Sequence, residues 1–314
     1  MIAEPKTLLE ATKVFSDPEV CREYLEAQRW PEGVKCPVCG SPVKTFIQDG
    51  KRWQCSKRHP GRKFTVKTGS VMEQSNLSLE IWLIAMWLIT NAKNGISSYE
   101  VHRALGVTQK TAWFLLHRIR YAMQNGGMFE KLIDHVEVDE TFIGGKARNM
   151  HEHKRKEKVT GRGAAGSGKA VVMGMLERGG KVVTKHIESP DKKTLQGHIK
   201  NHVDKGATIS TDAWKGYNGL SAEYVHGVVD HAVAYVEGSI HTNGLENYWS
   251  LLKRTIGGTY VSVEPFHLHR YLDEQSFRFN ERKATDGERF DLVTQGVAGK
   301  RLTYRQLTGK ERAA

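Results

Sequence analysis

Apolar positions in the first part of the chain recur at helical spacing. Two short amphipathic pieces near the N-terminus, LLEATKVF and VCREYLEAQRW, predict helices. The run at residues 78–92 is apolar on nearly every side, which predicts a buried helix that ends before Gly95. Residues 36–70 are rich in Gly, Pro and Lys and finish in the strand-like KFTVKTG. The pattern therefore predicts two N-terminal modules, at residues 1–75 and 76–130.

Two further helices have the form of a helix-turn-helix. The sequence SSYE at residues 97–100 has capping-box spacing, its helix ends at Gly106, and Thr108 can cap the next helix. At about 100° per residue, one face of the second helix, which we expect to pack, contains Ala112, Leu115, Leu116, Ile119 and Met123. The other face, which we expect to contact DNA, contains Lys110, Trp113, His117 and Arg120. The alternative is a pair of core helices with a solvated basic face.

The pattern changes to short β-like runs after about residue 134. HVEVDETFI, AVVMGMLE, KVVTKHIE and ATISTDA are interleaved with the helical stretch DKKTLQGHIKNHV. This alternation predicts an α/β domain with a mixed sheet at residues 131–285, followed by a C-terminal tail at 286–314. Residues 146–169 are basic and glycine-rich and predict a mobile loop. The loop ends in GAAGSGK, but Ala170 stands where a phosphate-binding loop needs Ser or Thr, so we expect no nucleotide cofactor.

The charge balance favours a polyanionic partner. The chain has 47 Lys and Arg against 35 Asp and Glu, a formal net charge of +12. Each neutralised phosphate releases condensed counterions, although charge alone does not separate DNA from RNA or from an anionic membrane. The longest apolar stretch, residues 81–89, is about half of what a bilayer core needs, and the N-terminus lacks signal-peptide features. We therefore expect a cytoplasmic, nucleoid-associated protein.

Three of the four cysteines have the spacing of a zinc ribbon. Cys36 and Cys39 form a CxxC knuckle, and Cys55 follows with His59 four positions further on. A structural zinc site needs four soft or borderline ligands in a tetrahedron, and a knuckle supplies two from one tight turn. The second knuckle is CSKRH rather than CxxC. We expect His59 as the fourth ligand, with Cys21 as its rival.

Carboxylates occupy three structured positions in the second half of the chain. Glu137 and Asp139 point to one face of the first predicted strand, and Asp212 ends a later strand. On the predicted helix HTNGLENYWSLLKRTI, one face contains Asn243, Glu246, Ser250 and Lys253. The packed side contains Leu245, Tyr248, Trp249, Leu252 and Ile256. Taken singly, each acidic residue has an ordinary reading as a turn former, a cap or a solvated side chain.

Three acidic groups on a basic protein are consistent with binding of divalent ions. Two Mg²⁺ ions roughly 3.5–4 Å apart can activate the attacking oxygen and stabilise the leaving oxygen at a phosphorus centre. Mg²⁺ prefers hard oxygen ligands, and carboxylates clustered without a cation repel one another. The composition therefore indicates metal-dependent chemistry on nucleic acid.

The sequence VEVDETFIGGK at residues 136–146 resembles the zinc-ribbon DDE transposases of bacterial insertion sequences, the ISXO-like group. The resemblance covers almost the whole chain. In order, it includes CPVCG, KFTVKTGSVMEQSNLSLEIW, STDAWKGYNGL, HTNGLENYWSLLKRTIGGTY, LHRYLDEQSFRFNER and DGERFDLV. The chain departs from the group at the second zinc knuckle, where the group usually has a fourth cysteine. This departure concerns the zinc ligand and not the carboxylates.

The resemblance implies an RNase H-like catalytic domain, preceded by a zinc ribbon and a helix-turn-helix-like domain. It maps the catalytic and metal-binding triad onto Asp139, Asp212 and Glu246, the last two 34 positions apart. It places Lys253 against transposon-end DNA. It also implies a polynucleotidyl transferase that uses two Mg²⁺ or Mn²⁺ ions: water cleaves at the element end, and the resulting 3′-hydroxyl attacks target DNA.

The same resemblance implies that the N-terminal modules bind terminal inverted repeats. Assembly on two DNA ends implies at least a homodimer. Two alternatives remain at this stage: a catalytically silent, domesticated DNA-binding protein, and an RNase H-like structure-specific nuclease.

Overall fold

The computed structural model describes residues 5–47, 50–124, 131–145, 147–159, 168–229 and 241–310. The chain divides into two compact units. The first combines Met1–Asn125 with Lys283–Ala314, and the second is Gly126–Arg282. Among the described residues, no helix is both long and apolar enough to cross a membrane.

The described elements are eleven α-helices and eight strands. The helices are α1 (Leu8–Val14), α2 (Pro18–Arg29), α3 (Leu79–Asn91), α4 (Ser98–Leu105), α5 (Gln109–Met123), α6 (Glu152–Lys158), α7 (Lys192–His202), α8 (Asn243–Arg254), α9 (Pro265–Asn280), α10 (Asp286–Gln295) and α11 (Tyr304–Leu307). The strands are β1 (Thr45–Phe46), β2 (Trp53–Gln54), β3 (Lys63–Phe64), β4 (His135–Ile143), β5 (Ala170–Glu177), β6 (Val182–Ile187), β7 (Thr208–Asp212) and β8 (Val225–Val229).

Helices α3, α4 and α5 begin at the polar residues that the sequence indicates. The Ser78 hydroxyl accepts from the third residue of α3, and Thr108 does the same for α5. Ser97 and Glu100 form a complete capping box at α4, which ends at Gly106 in the left-handed conformation. Helix α3 is buried on nearly every side, as its apolar run predicts.

The C-terminal residues, which we expected to form a separate tail, belong to the core of the first unit. Helix α10 packs against α2, α3 and α5, and α11 packs against α5. Phe290 of α10 is fully buried, with its ring 5.6 Å from those of Phe15 and Tyr24 and 5.3 Å from that of Trp87. The helical pattern of α10 is local, but the partner that covers it lies about 200 residues earlier in the chain.

The zinc-ribbon-like region is a small antiparallel sheet in the order β1-β2-β3. Its strands have only two residues each, and its buried centre consists of Cys36, Val43, Cys55 and Phe64. So small a core cannot offset the entropy of ordering this segment without a further constraint such as a metal.

The second unit is an α/β domain with a mixed sheet of five strands, in the order β6-β5-β4-β7-β8. Strands β4, β5 and β6 are antiparallel neighbours, whereas β7 and β8 run parallel to β4. Alternate side chains of β4 and β5 enter two cores, one with α7 and the other with α8 and α9. Strand β4, which carries Asp139, is third in this order and is therefore the central strand.

The described part of the basic segment between β4 and β5, residues 147–159, contains helical structure where we expected only a loop. It contains a short 3₁₀ turn at Ala147–Asn149 and helix α6. Most of the GAAGSGK sequence lies outside the described residues.

Candidate active site and zinc centre

The two aspartates lie on adjacent parallel strands. Val136 pairs with Ile209 and Glu137 with Ser210, and Asp139 and Asp212 each lie two residues beyond the last of these pairs. Neighbouring strands lie about 4.8 Å apart. Both aspartates are on the face that packs against α8, because Val138 and Ile209 point to the α7 side. The β4–β7 pairing thus brings both carboxylates to the same part of the sheet, at the carboxyl end of β7.

Helix α8 brings the third carboxylate and a lysine to the same place. Asn243, Glu246, Ser250 and Lys253 are exposed, whereas Leu245, Tyr248, Trp249, Leu252 and Ile256 are buried, which confirms both predicted faces of the helix. Asp139, Glu246 and Lys253 line one surface cavity of about 480 Å³ with Trp249 and Ser250. Asp212 does not line this cavity, but its charge acts on Asp139.

Asp139 holds its charge in an unfavourable environment. Burial, together with the negative charges of Asp212 and Glu246, raises the pKa of this carboxyl group to about 6. The Trp249 indole opposes this shift, because its Nε1–H donates to Asp139 Oδ2 at 2.9 Å. A bound cation would remove the repulsion, so the electrostatics of the three carboxylates fit a metal site.

A glycine makes the contact between Trp249 and Asp139 possible. Gly174 of β5 pairs directly with Asp139. A Cβ at this position would lie 2.6 Å from the Trp249 ring and 2.8 Å from Leu245. A lone glycine inside a buried strand often marks such a close approach. Helical periodicity puts Trp249 on the packed side of α8 but gives no link with Asp139, which lies 110 positions earlier in the chain.

Glu140 points to the opposite face of β4 from Asp139. Its Oε1 accepts a 2.6 Å hydrogen bond from the hydroxyl of Tyr217, a buried residue in the turn after β7. Burial raises the pKa of Glu140 to about 7, against the effect of the Tyr217 hydrogen bond. Glu140 therefore links β4 to the segment that follows Asp212, a role the sequence did not indicate.

The four predicted zinc ligands converge. The ligand atoms of Cys36, Cys39, Cys55 and His59 all lie within 4.8 Å of one another. Cys36 Sγ is 3.5 Å from His59 Nε2, and Cys39 Sγ is 3.7 Å from Cys55 Sγ. His59 Nδ1 lies 2.8 Å from the Pro60 carbonyl oxygen. Because a carbonyl oxygen only accepts hydrogen bonds, Nδ1 carries the proton in this contact and Nε2 is left as the ligand atom.

Cys21 is not part of this cluster. It is fully buried in α2, its Sγ donates to the Phe15 carbonyl at 3.1 Å, and burial raises its pKa to about 12. By contrast, hydrogen bonds from Ser41 lower the pKa of Cys39 to about 6, which favours the thiolate that zinc requires. The Cys₃His set is therefore the one that supports structural zinc.

The proposed DNA-contacting face of α5 is only partly accessible. Lys110 is exposed and its Nζ lies 4.9 Å from the centre of the Tyr304 ring, while Trp113 is half-buried against His117. His117 is 0% exposed and Arg120 is 1% exposed. The prediction that these two contact DNA is wrong for this structure, because α5 packs against α3, α4, α10 and α11 and both of its faces are covered.

Comparisons with known proteins match the chain in two places. Residues 131–280 match the ISXO2-like transposase domain, and residues 16–57 match the transposase zinc-ribbon domain. A curated relative, an uncharacterized protein in transposable element ISH50 of Halobacterium salinarum, is 26% identical over 262 residues, which cover 77% of this chain and 84% of the relative. The first match contains all three carboxylates, and the second contains all three cysteines of the cluster. Residues 131–280 are therefore similar to the catalytic domain of ISXO2-like transposases and residues 16–57 to the transposase zinc ribbon, as the ordered motifs indicate.

Proposed function

We propose that this protein is a metal-dependent DNA transposase that cleaves the ends of an insertion sequence and joins them to target DNA. The observation that carries the proposal is that Asp139 of β4 and Glu246 of helix α8 line one surface cavity, with the charge of Asp212 acting on Asp139. Lys253, on the same face of that helix, places a positive charge beside them. A cluster of carboxylates next to a cationic side chain suits a phosphodiester that binds together with divalent ions.

The sheet supports an RNase H-like assignment of the catalytic domain. Three antiparallel strands are followed by two that run parallel to the first, in the order β6-β5-β4-β7-β8. This arrangement puts the first and fourth strands side by side, each with one carboxylate. The third carboxylate then comes from a helix that packs on that face of the sheet.

Asp139, Asp212 and Glu246 would hold the ions, since they offer only hard oxygen donors. Two Mg²⁺ or Mn²⁺ ions bound there would supply activation of the attacking oxygen and stabilisation of the leaving oxygen. Trp249 Nε1 holds one oxygen of Asp139 and so orients the carboxylate. Lys253 would pair with a phosphate of the bound DNA.

The reaction has two displacements at phosphorus. In the first, a water oxygen bonds to the phosphorus at the element end while the P–O3′ bond breaks, which leaves a 3′-hydroxyl. In the second, that hydroxyl oxygen attacks a target phosphodiester, and a target 3′-oxygen leaves. No covalent link between protein and DNA forms. Two element ends must meet target DNA together, which favours a homodimer or a higher assembly.

The test is cleavage and strand transfer of labelled DNA that carries the inverted repeats flanking the gene. We expect activity with Mg²⁺ or Mn²⁺ and a loss of at least about a hundredfold in D139N, D212N and E246Q. E188Q, which neutralises an exposed carboxylate of the same unit, is the matched control and should retain full activity.

Other outcomes would replace the proposal. Binding of the repeats without cleavage in any divalent ion would favour a silent DNA-binding protein. Preferential cutting of branched DNA or RNA–DNA hybrids would favour a structure-specific nuclease. Full activity in D139N would remove Asp139 from the mechanism.

A further inference from the structure

Helix α8 does not use its own N-cap side chain. The first N–H groups of a helix have no partner within the helix, and the Thr242 side chain makes no capping hydrogen bond here. Instead, the Leu245 N–H donates at 2.9 Å to Oε2 of Glu137, on strand β4. A carboxylate at this position also matches the positive end of the helix dipole. The helix is thus capped by a residue more than 100 positions earlier in the chain.

The other oxygen of the Glu137 carboxylate is also engaged. Arg178 Nε donates to Oε1 at 2.9 Å, and His241 Nδ1 lies 3.2 Å from the same atom. Arg178 additionally donates through Nη2 to the His241 carbonyl at 3.0 Å. Glu137 is 1% exposed, and a carboxylate buried to this extent is retained only where its oxygens are satisfied. Glu137 thus holds the backbone N–H of Leu245, and Arg178 holds the backbone carbonyl of His241, on either side of the start of α8.

Gly244 lets the helix approach the carboxylate. A Cβ on this residue would lie 2.9 Å from Glu137 Oε2 and 2.8 Å from Leu176 Cδ2. A side chain here would therefore displace either the buried Glu137 and Leu176 side chains or the first turn of α8. The glycine in NGLE is explained by this contact and not by its backbone angle.

These contacts fasten α8 to β4 at two points on either side of Glu246. Glu137 and Asp139 share one face of the strand, two residues apart. Glu137 binds Leu245, the residue before Glu246, and Asp139 accepts from Trp249, three residues after Glu246. The position of Glu246 relative to Asp139 thus depends on both attachments.

We propose that Glu137 is a positioning residue that sets the distance between Glu246 and Asp139 through the first turn of α8. The proposal rests on the metal-binding role given above to the triad. It assigns Glu137 no contact with DNA or metal, because the Leu245 N–H occupies Oε2 and the Arg178 Nε–H occupies Oε1.

The test is a titration of the full-length protein with Mn²⁺. The electron paramagnetic resonance signal of the free ion reports how much Mn²⁺ is bound. We expect E137Q to weaken binding by about tenfold, as removal of a group that orients a metal ligand does. G244A should weaken binding similarly while it leaves every charge in place and raises helix propensity. The double variant E137Q/E246Q should bind no more weakly than E246Q alone, because Glu137 acts through Glu246.

Two controls separate positioning from a general loss of structure. E177Q removes another carboxylate that accepts from a backbone N–H, that of Ile133 at 2.9 Å, without a contact to α8. G197A adds a methyl group to α7, where nothing lies within 4 Å. Both should bind Mn²⁺ within about twofold of wild type. If E137Q misfolds by circular dichroism, G244A carries the test.

Unchanged Mn²⁺ binding in folded E137Q and G244A would overturn this inference and leave the proposed function intact. A further tenfold loss in the double variant would also overturn it, because Glu137 would then act independently of Glu246. Absence of Mn²⁺ binding in wild type would contradict the metal-dependent function itself.

Discussion

Adjacent acidic residues on β4 have different environments because successive side chains point to opposite faces of the sheet. Asp139 lies on the α8 face, next to Asp212 and Glu246, where a cation can compensate their charges. Glu140 lies on the α7 face, where Tyr217 donates to it and its pKa is raised to about 7. A cation in the proposed metal site would offset the repulsion at Asp139, whereas no such compensation is proposed for the buried Glu140, whose burial lowers the stability of the fold.

We predict that Glu140 destabilises the protein at neutral pH. Because its folded pKa of about 7 exceeds the ordinary value, the folded state binds more protons between about pH 4.5 and 7. The contribution of Glu140 to stability therefore falls as the pH rises through this window and is constant above it. E140Q, which keeps an acceptor for Tyr217, should raise the melting temperature at pH 8 by about 5 °C and change it little at pH 5.

The measurement is thermal unfolding in EDTA at the two pH values, so that no Mg²⁺ contributes. E188Q, at an exposed carboxylate, should show no pH-dependent difference from wild type. An equal loss of stability in E140Q at both pH values would contradict the prediction. It would mean that the Glu140 carboxyl group is as favourable at pH 8 as at pH 5, so that its ionisation carries no cost.

At the scale of the element, the sequence predicts what depends on local periodicity. The two faces of α8 follow from its helical repeat, and the side of β4 that carries Glu137 and Asp139 follows from strand alternation. The placement of Asp139 and Asp212 on neighbouring strands does not, because the pairing of β4 with β7 depends on a core assembled from distant segments. The same limit hides the cap that Glu137 provides for α8, since the two are joined only in the folded chain.

Helix α5 shows why periodicity alone can mislead. A helical wheel identifies an apolar face and a polar face, but it does not show how many neighbours the helix has. Arg120 and His117 are buried, and the helices that pack on α5 include α10 and α11, which the sequence indicates only as a tail. Arg and His side chains have an apolar part that can be buried when distant segments of the chain pack over it.

The zinc ribbon gives a prediction that depends on one element. We expect one zinc ion per chain, and we expect H59A to reduce this stoichiometry well below one, because three thiolates leave the tetrahedron open. H59C should retain zinc with four sulfur ligands. The measurement is metal analysis of the purified protein, with zinc release followed after thiol modification.

C21S is the matched control for that experiment, because Cys21 is the one cysteine outside the cluster. It should retain one zinc per chain. Loss of zinc in C21S with retention in H59A would exchange the two ligands and contradict the Cys₃His site.

At the scale of the whole molecule, the chain order and the compact units differ. The boundaries predicted from the sequence, at residues 75, 130 and 285, divide the chain into four segments. Because the C-terminal helices return to the first unit, the first, second and last of these segments share one core. The net charge of +12 belongs to no single element. Binding to DNA should therefore have a large electrostatic component that is spread over many phosphates. Each phosphate contact should contribute about one unit to the dependence of the binding constant on salt.

The last prediction isolates one of those contacts. Affinity for element-end DNA should fall steeply as KCl rises, and K253Q should lower the logarithmic slope by about one, since one phosphate contact is lost. K181Q, at another exposed lysine of the second unit, should leave the slope unchanged, and K253R should restore it. Fluorescence anisotropy of labelled DNA over a KCl series measures the slope. An unchanged slope in K253Q, together with lost cleavage, would mean that Lys253 acts on the reacting phosphate only after the DNA has bound.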